Sequence, residues 1–114
     1  MKKINLAITG CMGRMGRQIT KSARLNKNFK IVALTENRII KKKIYGIKPS
    51  LNEEQAFKKA NLIIDFTVPK CTFEVLKIAT KLKKRVVIGT TGFSKKDENL
   101  IKKYSRKIPI LRAG

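Results

Sequence analysis

The sequence has no histidine and no tryptophan, and its only cysteines are Cys11 and Cys71. Without histidine, and with the two thiols sixty residues apart, it offers no ligand cluster for a metal ion. Two cysteines are too few for a disulfide framework and point to a reducing, cytoplasmic setting. No run of eighteen apolar residues is present, so no membrane span is expected. Met1-Lys2-Lys3 leads into a short strand-like segment that runs straight into glycines, so no export signal is read there. Acidic residues are scarce too: 7 Asp and Glu stand against 28 Lys and Arg, for a net charge of +21. A domain this basic can bind nucleic acid. Here, however, the lysines are spread along what should be solvent faces of helices, for example at Lys58-Lys59, Lys83-Lys84, Lys95-Lys96 and Lys102-Lys103. The few aromatic residues do not interleave with them as a base-stacking surface requires. Such a surface is read as solvated, and it would draw in anionic small molecules at long range.

What is present is a regular alternation. Residues 3–9, 29–35, 61–66, 85–88 and 108–111 read as β-branched or apolar strands. Between them run helical patterns at 14–26, where Met15, Ile19 and Ala23 would form the buried stripe, and at 71–82 and from Ser94 onward. Ser50-Leu51-Asn52-Glu53 has the form of a capping box opening a short helix to about Lys59. Residues 37–49 are polar and aperiodic and predict a loose surface excursion. Alternating strands and helices predict an α/β fold. The form expected is a Rossmann-type, doubly wound parallel sheet with helices on both faces, in one domain over 1–114. In the order 3-2-1-4-5, the ligand crevice would open between the first and fourth strands. No helix closes the last strand, so the domain reads as truncated.

The first strand ends in Gly10-Cys11-Met12-Gly13-Arg14-Met15-Gly16. A glycine turn between a strand and a helix start is built to cradle a pyrophosphate. Gly10 permits the turn, Gly13 leaves room for phosphate, and Gly16 allows close packing of the helix. Arg14 and Met15 present unpaired helix N-terminal amides, Arg14 can add a cation, and Met15 can equally be core. No Gly-Lys-Ser/Thr follows, which excludes an ATP-type P-loop. Glu36 lies twenty residues beyond Gly16 at the end of the second strand, where a carboxylate accepts hydrogen bonds from an adenosine ribose. Arg38 and Lys41 to Lys43 could offset its charge and admit a 2′-phosphate, which leaves NADH or NADPH open as the cofactor. Gly89, Thr90 and Thr91 follow the fourth strand and face the same crevice, where the threonines either cap the strand end or meet a nicotinamide. Asp65 reads more readily as a tether for its loop than as a catalytic acid. Cys11 has no base beside it and is read as a small turn residue rather than a nucleophile.

Taken together, Ile8-Thr9-Gly10-Cys11-Met12-Gly13-Arg14-Met15-Gly16, Ile64-Asp65-Phe66-Thr67-Val68-Pro69 and Val87-Ile88-Gly89-Thr90-Thr91-Gly92-Phe93 resemble the N-terminal part of the 4-hydroxy-tetrahydrodipicolinate (dihydrodipicolinate) reductases of lysine and diaminopimelate synthesis. The resemblance implies an NAD(P)H-dependent oxidoreductase. It places the pyrophosphate on Gly10, Cys11, Met12, Gly13, Arg14 and Met15, and the ribose on Glu36. Phe66 and Thr67 would flank the cofactor, Gly89, Thr90 and Thr91 would meet its nicotinamide end, and Ala113 and Gly114 would border it. It also implies a small acidic heterocyclic substrate, a homotetramer for the full-length enzyme, and no nucleic-acid or membrane partner. No catalytic residue falls within 1–114: the catalytic segment and the substrate and oligomerisation domain of that family would lie downstream, so residues 1–114 alone should at best bind cofactor and should not turn over substrate. Asn37 stands where some members carry arginine, which weakens the case for a strong NADP preference. A nucleic-acid-binding domain and another Rossmann nucleotide binder are the alternatives.

Overall fold

The computed structural model describes residues 2–113. Five strands, β1 (Ile4–Thr9), β2 (Phe29–Thr35), β3 (Leu62–Asp65), β4 (Arg85–Ile88) and β5 (Ile110–Arg112), form one parallel sheet. Its order is β2-β1-β3-β4-β5. The helices are α1 (Arg14–Leu25), α2 (Glu54–Phe57), α3 (Pro69–Leu82) and α4 (Lys95–Ser105). No helix among the described residues is long and apolar enough to cross a membrane.

The fold class is as expected, but the strand order corrects the expectation. Counted along the chain, the third strand lies beside β1, not beside β2. The reason is the excursion after β2. It returns along the outer edge of β2 and contributes one residue to the sheet: Ser50 N donates to Leu34 O and Glu36 N donates to Ser50 O, both at 2.9 Å. A single bridge takes the outer position that a full strand would have filled, because residues 37–49 lack an apolar run to build one. The crevice therefore opens between β1 and β3, where the sheet reverses its winding.

The excursion is also better anchored than predicted. Ile40 is buried, and Ile44 and Ile47 pack against the core cluster of Leu6, Ile8 and Leu34. Ile44 and Ile47 exchange both backbone hydrogen bonds across Tyr45 (φ 49°) and Gly46 (φ 80°), a turn with both central residues left-handed.

Two sequences with the form of a capping box behave differently. Ser94 and Asp97 cap α4 reciprocally, at 3.0 and 3.1 Å. Ser50 is committed to the β2 edge instead, so α2 starts without a side-chain cap at Glu53 and runs for only four residues. α3 begins two residues earlier than predicted, with Pro69 in its first turn, where proline's fixed φ suits a helix and no N–H is missed. In α1 the fully buried face is Gly16, Thr20 and Ala23; Ile19 is half-buried and Met15 is 46% exposed. Of the expected Met15, Ile19 and Ala23 stripe only Ala23 is buried, and Gly16 and Thr20 take the other two places because Gly16 makes the closest approach to the loop.

Candidate functional site

The site grows from the turn after β1. Gly10 has φ +63°, and a Cβ there would lie 2.5 Å from Phe66 O. A Cβ on Gly16 would overlap the carbonyl of Gly10, so glycine at both positions lets α1 start directly against the loop. Gly13 is the N-cap of α1, and its own N–H donates to Gly10 O at 3.0 Å. The loop's inner amides are already engaged: Cys11 N donates to Thr35 O at 3.1 Å, and Met12 N donates to Oε2 of Glu36 at 3.0 Å. The amides of Arg14 and Met15, in the first turn of α1, lack helical acceptors. At a helix start they form an anion-binding end reinforced by the helix dipole. Glu36 is fixed from both sides, since its Oε1 accepts from Asn37 N at 3.0 Å.

The opposite wall is organised by Asp65, which is fully buried and, among the described residues, in no ion pair. Its Oδ1 accepts from the hydroxyls of Thr9 (2.5 Å) and Thr67 (3.0 Å). Its Oδ2 accepts from Thr72 (2.5 Å) and Thr90 (2.9 Å). A buried carboxylate is costly unless hydrogen-bonded, and four hydroxyl donors meet that need. They join the ends of β1 and β3, the start of α3 and the loop after β4. Thr67 N donates to Thr90 Oγ1 at 2.8 Å, which closes the knot. A Cβ on Gly89 would overlap the Phe66 ring, so that glycine gives the ring its seat against the β4 loop.

Between the walls lies a cleft of about 220 Å³, lined by Gly10, Gly13, Glu36, Asn52, Phe66 and Thr67 among others. The spacing is that of a dinucleotide crevice: a helix N-terminus for phosphate, a carboxylate at the end of β2 for a ribose, and a second loop beyond.

The comparisons agree with this geometry. Residues 4–114 match the family model described as dihydrodipicolinate reductase, N-terminus. This chain belongs to that family. Over all 114 residues it is 69% identical to the 4-hydroxy-tetrahydrodipicolinate reductase of Pelagibacter ubique, of which it covers 44%. It is 39% identical to the reductase of Bdellovibrio bacteriovorus, covering 97% of this chain and 44% of the relative. Among solved structures, a dipicolinate-bound dihydrodipicolinate reductase from Paenisporosarcina sp. TG-14 superposes with a TM-score of 0.77, covering 97% of this chain and 47% of that one. At 24% identity that likeness speaks for the fold. The chain spans somewhat under half the length of the curated relatives it matches. Domains of the dihydrodipicolinate reductase N-terminal family bind NAD(P)H.

Within this family domain, the structure brings together Gly10, Gly13, Glu36, Phe66 and Thr67 on one cleft. Arg14 and Met15 stand at its helix end. Thr90 is buried with its hydroxyl committed to Asp65, whereas Thr91 is exposed. Ala113 is exposed and held to the sheet by its N–H, which donates to Ile88 O at 2.8 Å. Gly114 lies outside the described residues. Burial in the loop, with Glu36 nearby, pushes the Cys11 thiol up to about 11, which suits a turn residue and not a nucleophile. Asp65 is tied into the loops, in keeping with the tether reading. Sequence reasoning missed Thr9, Thr72 and Asn52. Their partners lie 56, 7 and 17 residues away, and threonine or asparagine at such separations carries no local signal.

Proposed function

We propose that this chain is the cofactor-holding part of an enzyme that reduces 4-hydroxy-tetrahydrodipicolinate. The observation that carries the reading is the meeting, at the reversal point of the sheet, of an α1 N-terminus with two free amides, a doubly held Glu36 and a second loop tied to the first through Asp65. The dinucleotide supplies the hydride when bound. The protein's part is to grip and orient it. Gly10 and Gly13 leave the space, and the amides of Arg14 and Met15 hold the pyrophosphate. Glu36 takes the ribose hydroxyls, while Phe66, Thr67 and Gly89 to Thr91 set the nicotinamide end. Cys11 and Met12 shape the turn with amides engaged elsewhere, and Ala113 borders the second loop. The substrate is a small acidic heterocycle, the setting is cytoplasmic, and the catalytic groups come from the part of the enzyme that the relatives carry beyond this domain.

The test is calorimetric titration of the 114-residue chain with NADH. Gly13→Val is compatible with its extended backbone (φ −74°, ψ 167°) but fills the phosphate space, and should weaken binding more than tenfold. Glu36→Ala should weaken it several-fold. If Gly13→Val bound NADH as tightly as the parent chain, the loop assignment would be wrong.

A further inference from the structure

The crevice opens at the carboxyl ends of the strands; the opposite edge of the sheet carries a cleft of its own. Its volume is about 460 Å³, and Lys2, Lys3, Lys83, Lys84 and Arg85 line it. The cations come from the starts of β1 and β4 and the end of α3, with Leu62 at the start of β3 between them. Two strand spacings, about 10 Å, therefore hold five positive charges. No carboxylate lines the cleft. Among the described residues the ion pairs are Lys81 with Glu54 and Arg112 with Glu98, so none of the five cations is in one. The parts are fixed. Asn5 N donates to Oδ1 of Asn61 at 2.9 Å and Asn61 N donates to Asn5 O at 2.8 Å, which holds Asn61 in the wall. Lys84 Nζ donates to Lys58 O at 2.9 Å, which anchors one ammonium and leaves it two donors. Lys83 ends α3 at φ 56°, ψ 48°, a left-handed conformation that usually selects glycine. A lysine there accepts backbone strain and places a cation at the cleft. The dipole of α3 favours cations at its own end, but Lys2, Lys3 and Arg85 belong to strands and owe nothing to it.

We propose that this cleft binds a compact polyphosphate, either the triphosphate chain of a nucleotide or a free chain of that length, through its phosphates alone. Lysine ammoniums are point charges that suit phosphate oxygens approached from several sides, and only Arg85 offers the planar fork that matches a carboxylate. No aromatic residue lines the cleft, so a base would find nothing to stack on. Five cations gathered in one concavity favour a short chain over a nucleic acid, which needs an extended basic stripe. The cleft stands a strand length, about 20 Å, from the glycine turn, so its ligand is held independently of the dinucleotide.

The experiment titrates the 114-residue chain by calorimetry with tripolyphosphate, ATP, GTP, inorganic phosphate and a short single-stranded RNA. It compares the parent with Lys2→Glu/Lys3→Glu, with Lys83→Gly and with Lys95→Glu/Lys96→Glu, which makes the first variant's charge change on α4. All five lysines are exposed, and circular dichroism checks that each variant folds. The parent should bind tripolyphosphate at least about tenfold more tightly than phosphate, with ATP and GTP within about threefold of each other. Lys2→Glu/Lys3→Glu should weaken tripolyphosphate about tenfold or more, and the α4 variant less than about twofold. Lys83→Gly should weaken it several-fold while the urea midpoint falls no lower than the parent's, because glycine relieves the left-handed strain as it removes the cation. Equal losses in the Lys2→Glu/Lys3→Glu and α4 variants overturn the proposal, by showing attraction to net charge alone. A parent that holds tripolyphosphate no better than phosphate overturns it too. So does displacement of tripolyphosphate by NADH, which would put the chain in the crevice. RNA that binds more tightly than tripolyphosphate and weakens in the same variants overturns it in favour of a nucleic-acid partner.

Discussion

The two faces of the sheet are built from the same strands but covered unequally. On one face α2, α3 and α4 close over a continuous row of Ala33, Ala7, Ile63, Val86 and Ile110, with Phe57, Val75, Leu76 and Ala79 fully buried above it. On the other, α1 covers β1 and β2, while the next row runs out from Ile8 to Ile64, Val87 and Leu111 with steadily less over it. Ile8 is fully buried, Ile64 and Val87 are half-buried, and Leu111 is 66% exposed. The handedness of the crossovers explains the difference. β1-α1-β2 winds toward one edge and β3-α3-β4-α4-β5 toward the other, so right-handed connections put their helices on opposite faces. The difference teaches that alternation in a strand reports two faces, but not how far each is covered. Ile63 and Ile64 are the same residue type, adjacent in one strand, in unlike surroundings.

The sharpest test of that contrast is the pair Ile63→Ala and Ile64→Ala. The first removes a fully buried side chain from the closed face and should cost about 2–5 kcal/mol in urea unfolding. The second should cost less than half as much, since solvent already reaches that side. Equal losses would show that the α1 face is as closed as the other. Next in size is Asp65→Asn, at the edge where the faces meet the crevice. An amide NH₂ would confront hydroxyls that now donate, for a loss of about 1–3 kcal/mol. NADH affinity should fall with it if the knot sets the loops, and an unchanged affinity would separate the knot from the site. The smallest effect belongs to Leu111→Lys on the open face, which should leave stability within about 0.5 kcal/mol of the parent. A large loss there would mean that Leu111 is covered in solution.

Much of the site was legible in the sequence because its signals are local. Gly10, Gly13 and Gly16 sit at fixed spacing on a strand-to-helix turn, and the chain then returns to place Glu36 one βαβ unit later. The Gly89-Thr90-Thr91 loop, expected to face the glycine turn directly, instead follows β4, one strand further out, and Phe66 and Thr67 after β3 line the cleft in its place. What was illegible depends on partners far along the chain. Nothing near Ser50 says that it will bond to the edge of β2 and not cap a helix, although Ser94, likewise followed by an acidic residue three positions on, does cap one. The strand order was misjudged through that same segment, since one bridging residue is too short a strand to announce itself. Thr9 and Thr72 look like ordinary strand and helix residues until Asp65 is buried between them.

The sequence by itself determined the alternation of strands and helices, the glycine turn and the carboxylate beyond it, because periodicity and φ requirements act within a few residues. It also determined the large excess of lysine and arginine over aspartate and glutamate. Tertiary structure alone decided that the crevice lies between β1 and β3, that Asp65 is met by four hydroxyls, and that Lys2, Lys3, Lys83, Lys84 and Arg85 meet in one cleft. Each of these joins groups from separate elements that only the folded chain brings together, and the Asp65 knot gains its strength because burial removes the competing water.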